Sequence, residues 1–135
     1  SREGDPVDLR VSRRHGRVAL SFLHELGHLV DHQHAWALGP RLRAIAPTTA
    51  SRAPAGTSRA RRRYFDSPRE VWARAYAQAV LGRSADPELR AGLARLQERD
   101  DVYVWPALEF EPLAQAVDAV LGELRLLRPV RFAAA

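Results

Sequence analysis

His24-Glu25-Leu26-Gly27-His28 constrains this chain more than any other five residues in it. Two imidazoles four positions apart share a face only where the backbone is helical, because residues i and i+4 then stand one turn apart. The flanking residues agree with a helix. Leu20, Leu23/His24, Gly27/His28 and Asp31 recur at three-to-four spacing, so a helix is expected from Arg17 to about Trp36, with Gly39-Pro40 closing the region.

The remaining signals are also mostly helical. Ser67-Pro68-Arg69-Glu70 combines an N-cap Ser, a Pro at the first helical position and a Glu at the third. A helix is therefore expected to run from there to about Leu81, with Gly82 beyond it. Asp86-Pro87 starts another, striped by Leu89, Leu93 and Leu96. Tyr103-Val104-Trp105-Pro106 is an apolar break before a last helix from about Leu108 to Leu127, with Phe110, Leu113, Val117, Val120, Leu121 and Leu124 inward. Val7-Asp8-Leu9-Arg10-Val11 alternates in the manner of a short half-buried strand, and residues 1–7 read as a loose arm. Residues 39–63, rich in Arg, Pro and Ala, read as a long loop with room for one short helix around Arg41–Ala46. The 135 residues then suit one domain, mainly α and α+β at most.

Composition narrows the class of partner. No apolar run approaches the roughly 18 residues that a membrane span requires, so no membrane partner is expected. Cys is absent, which excludes disulfides and thiolate metal sites and leaves the compartment open. The chain opens on Ser1 with no signal-peptide pattern, which reads as the start of a fragment or processed form and leaves room for an upstream domain. The formal charge is +5, all of its basic side chains being Arg. Arg59-Ala60-Arg61-Arg62-Arg63 concentrates that charge. Such a run is first a solvated surface and second a contact for an acidic partner or substrate; nucleic acid is the lesser expectation.

The chemistry of the first helix is that of a metal site. His24 and His28 can converge on one Zn2+, which accepts imidazole nitrogen at about 2.0–2.1 Å. Glu25, beside the first ligand, reaches the open position, where a carboxylate can take a proton from water and pass it to a leaving amine. Gly27 lets another element approach the helix closely. A third ligand must come from elsewhere. His32 lies roughly 12 Å along the axis from His24 and is a surface residue. Asp31 suits a supporting role, orienting an imidazole by hydrogen bond. His34 completes a metzincin-like spacing, His24…His28…His34, but Asp31 stands where that pattern has the Gly of a sharp turn, and the chain has no Met to form the turn beneath the metal. Glu70 is favoured. It opens a second helix whose Ala73 and Ala77 lie on the same face, so two helices can meet there, although its carboxylate could equally complete a capping box with Ser67.

His24-Glu25-Leu26-Gly27-His28-Leu29-Val30-Asp31, then Tyr64, then Ser67-Pro68-Arg69-Glu70-Val71-Trp72-Ala73-Arg74-Ala75-Tyr76 resemble the catalytic domain of anthrax toxin lethal factor and its relatives, which include the Pro-Pro endopeptidases and similar domains in phage and toxin proteins. The resemblance covers roughly residues 17–125 and is specific at the two motifs. It implies a gluzincin-type zinc metalloendopeptidase acting on a protein or peptide substrate. It implies one zinc ion per chain, ligated by His24, His28 and Glu70, with Glu25 as general base. It also implies Tyr64 as the hydroxyl that stabilises the oxyanion. Two other functions compete: a zinc-bound pseudoenzyme, and a basic module that binds nucleic acid or an acidic partner.

Overall fold

The structure, a computed structural model, describes residues 16–47 and 50–124. Six helices occur among them, and no strand: α1 (Gly16–Gln33), α2 (Leu38–Ile45), α3 (Arg59–Phe65), α4 (Pro68–Gly82), α5 (Pro87–Glu98) and α6 (Ala107–Glu123). The domain is mainly helical, as the periodicities require. The strand expected at Val7–Val11 and the arm at 1–7 lie outside the described residues.

Local chemistry sets the helix starts. Ser67 caps α4 by accepting from the Glu70 N–H, Asp86 caps α5 by accepting from the Glu88 N–H, and a Pro follows each cap at the first helical position, where its missing donor costs nothing. The segment 39–63 holds the short helix expected around Arg41–Ala46, as α2, and departs from expectation elsewhere. Gly39-Pro40 does not close a helix; it lies in the first turn of α2, and Pro40 is accepted there for the same reason. The basic run is helical as well. Ser58 accepts from the Arg61 N–H and so caps α3, which leaves only the stretch between Ile45 and Arg59 as connection.

The first helix ends sooner than expected, at Gln33. Ala35 and Trp36 both take left-handed φ, 56° and 61°, which non-glycine residues adopt at a cost of about 1–2 kcal/mol each. Asp31 organises this corner. Its carbonyl accepts from His34 and Trp36 N–H groups, and its fully buried carboxylate accepts from the Leu38 N–H at 3.1 Å, one of the orphan donors at the start of α2.

The core is built around α4, which is buried on nearly every side. One cluster joins Leu38 and Leu42 of α2, Val71, Trp72 and Ala75 of α4, and Phe110, Leu113, Val117 and Val120 of α6. A second joins Leu20 of α1, Ala77 and Leu81 of α4, and Leu93 and Leu96 of α5. Gln78 ties α4 to the apolar break: its amide donates to the Trp105 carbonyl at 2.9 Å and accepts from the Trp105 N–H at 2.8 Å.

Candidate metal centre

α1 and α4 cross where neither carries bulk. A Cβ on Gly27 would stand 3.1 Å from the Ala73 Cα and 3.1 Å from the Tyr76 ring. At the same crossing the Trp72 indole N–H donates to the Gly27 carbonyl at 3.0 Å, which fixes the two helices in rotation as well as in distance. The crossing brings the first turn of α4 against the middle of α1.

His24, His28 and Glu70 meet there. The His24 and His28 Nε2 atoms lie 3.1 Å apart, with their rings edge to face at 4.7 Å. The Glu70 Oε2 is 3.1 Å from His24 Nε2, and its Oε1 is 2.9 Å from His28 Nε2. Three donor atoms held tetrahedrally at about 2.0–2.1 Å from one ion stand roughly 3.3–3.4 Å apart. The group is therefore within a few tenths of an ångström of a ligand triangle, and it could hold a metal ion. Two imidazole nitrogens and one carboxylate are the donor set zinc accepts.

Glu70 is free for this duty because the cap is closed without it. In a reciprocal capping box its carboxylate would accept the Ser67 N–H. Here the Tyr64 carbonyl accepts that N–H at 3.0 Å, and only the Ser67 hydroxyl half of the box is formed. Burial pushes the Glu70 carboxyl up, but hydrogen bonds from His24 and Tyr64 and the charge of both histidines outweigh it and hold the group at about 2.

Glu25 and Tyr64 face one cavity of about 680 Å³ together with His24 and Glu70. The Tyr64 ring is largely exposed and its hydroxyl sits beside the Glu70 carboxylate. Hydrogen bonding and charge from Glu70, then burial and the charge of Glu25, raise its pKa and keep it a proton donor at neutral pH. Phe65 anchors this corner, lying against the Arg74 guanidinium at 3.5 Å and packing at a tilt on the Tyr103 ring at 5.9 Å.

Among the described residues, the other histidines are not part of the group. The helix runs on past His28, so His34 falls in the left-handed turn and stands outside the ligand triangle. His32 is exposed and packs on Trp36. Asp31 makes no hydrogen bond to either imidazole; its Oδ1 accepts the Leu38 N–H at the start of α2, and its Oδ2 is buried without a hydrogen-bond partner. Arg74 belongs to no motif, yet it lines the same cavity. Its only trace in the sequence is a charged residue one turn after Glu70, inside the Trp72-Ala73-Arg74-Ala75-Tyr76 run.

Comparison with protein-family models, with curated proteins and with solved structures finds no match to this chain.

Proposed function

We propose that this chain is a zinc-dependent metalloendopeptidase domain of the lethal-factor-like, gluzincin type. One observation carries the reading: His24 and Glu70 of the His24–His28–Glu70 group line the same cavity as Glu25 and Tyr64. In it His24, His28 and Glu70 hold the ion. Zinc, when bound, polarises a carbonyl and makes water a stronger acid at neutral pH. Glu25 takes the proton of the attacking water and returns it to the leaving amine. Tyr64 donates its hydroxyl proton in a hydrogen bond to the oxygen on which negative charge develops.

Metal content and peptide cleavage measured on a small set of variants test this. The wild-type chain is expected to hold one zinc and to cleave a mixed peptide library. His24→Ala, His28→Ala and Glu70→Ala are expected to lose the metal, and His34→Ala to keep it. Glu25→Gln is expected to keep the zinc while turnover falls by about 10²–10⁴-fold. Cleavage by Glu25→Gln at the wild-type rate would overturn the general-base assignment. A zinc-loaded wild type that cleaves nothing would leave a metal-holding pseudoenzyme.

A further inference from the structure

The cavity beside the metal group is not electrically balanced once an ion is present. Five charged side chains other than histidine line it: Arg17, Arg61, Arg74, Glu25 and Glu70. Arg17 is engaged by Asp101, which leaves two cations against two carboxylates, 2 − 2 = 0. A divalent ion on the His24–His28–Glu70 group takes the sum to +2.

Arg74 makes the imbalance specific. It is only 4% exposed, at a position where an unpaired charge is costly. Its Nη2 donates to the Phe65 carbonyl at 2.8 Å, but Nε and Nη1 have no hydrogen-bond partner. Glu70 supplies the largest compensating charge, followed by Asp66, and a bound cation would claim the Glu70 share. On α3, lining the same cavity, the exposed Arg61 has no ion pair among the described residues. The lining also includes the apolar Leu20, Phe65, Ala77 and Val102, against which a charge is screened less than in open water. Arg74 stands one turn beyond Glu70, roughly 6 Å along α4. An extended peptide covers that in about two residues at roughly 3.3–3.6 Å each.

We infer that the cavity selects substrates carrying a carboxylate within two residues of the bond to be cleaved, with Arg61 at the rim as its direct partner and Arg74 as the buried positive charge behind the wall. The inference rests on the metallopeptidase reading and names the substrate class of that site.

Hydroxamates test it without turnover, because a hydroxamate binds zinc whether or not the protein cleaves. Three compounds are compared on the zinc-loaded chain by calorimetry: a succinyl hydroxamate followed by Glu with an amidated C-terminus, its Gln twin, and the Gln twin with a free C-terminal carboxylate. The Glu compound, the free-terminus compound or both are expected to bind at least about tenfold more tightly than the neutral twin. Which of the two does so separates a side-chain carboxylate from a chain terminus. In Arg74→Gln the preference is expected to fall to within about threefold, and Arg61→Gln is expected to reduce it. If circular dichroism shows Arg74→Gln to be unfolded, Arg61→Gln on the exposed face of α3 decides. Equal binding of all three compounds overturns the inference and leaves the peptidase reading standing. A clear carboxylate preference with no cleavage of any peptide overturns the peptidase reading alone. Failure of every hydroxamate to bind removes the metal site, and this inference with it.

Discussion

The resemblance implies a role for Tyr64, and its place three residues after His28 suggests one for Asp31; the structure treats the two oppositely. Tyr64 shares a cavity with Glu25, His24 and Glu70, so removal of its hydroxyl should touch chemistry and little else. Tyr64→Phe is expected to lower kcat by about 10–10³-fold, with zinc content and melting temperature unchanged. Steady-state kinetics on a cleaved peptide checks this, and an unchanged kcat would return Tyr64 to a surface role. Asp31 spends its carboxylate on the Leu38 N–H, far from turnover in effect. Asp31→Ala is expected to cost about 1–3 kcal/mol of stability, the range for orphaning a buried backbone donor. Zinc affinity should stay within about twofold, whereas losing a partner that orients a ligand weakens binding by about 10–100-fold. Denaturant melts and a competitive chelator titration measure the two quantities separately.

The meeting of α1 and α4 is where the elements make the site. At Gly27 an added methyl presses on backbone at 3.1 Å, and at Gly39 it would stand 2.3 Å from the Pro68 carbonyl oxygen. Both substitutions improve helix propensity by about 1 kcal/mol, yet overpacking costs about 1–3 kcal/mol and should win. Gly39→Ala is expected to destabilise more, because its clash is closer. Gly27→Ala is expected to weaken zinc at least tenfold, about 1.4 kcal/mol, since it moves the helix that carries Glu70 away from His24 and His28. A Gly27→Ala protein with wild-type affinity would show that the crossing tolerates more space than the ligands require. This crossing was partly legible beforehand: Gly27, Ala73 and Ala77 are small residues at the right spacing, and Ser67-Pro68 marks the start of α4 to the residue. The ends of α1 and α2 were not. A left-handed Ala35-Trp36 pair has no sequence signature, because the conformation is imposed by the Asp31 and Leu38 contacts and not by the residues themselves. Arg74 was hidden for a similar reason, since only the packing of Phe65 over it shows that it is buried.

For the whole molecule, the ion and the fold are separable. Two apolar clusters surround α4 without drawing on the ligand group, so the chain should stay folded when stripped of metal. Saturating zinc is still expected to stabilise it through binding, by about 4 kcal/mol at a thousandfold excess over Kd. For a chain of this size that is a rise in Tm of roughly 10–20 °C, removed by a chelator with helical circular dichroism retained. The metal-free protein should also show how Glu70 is held. Its carboxyl lies at about 2 in the folded chain against an ordinary 4.5, so the contribution is fully present above 4.5 and is lost as pH falls towards 2. The size is on the order of 3 kcal/mol, at about 1.4 kcal/mol for each unit. Glu70→Gln cannot ionise and forgoes that contribution at every pH. Urea melts of both metal-free proteins at pH 6, 4 and 2.5 are therefore expected to show a wild-type advantage that shrinks through this window. A gap that stays constant with pH would mean that Glu70 is not charged against His24 and His28 when the ion is gone, and that the ligand triangle is assembled by the metal and not by the fold.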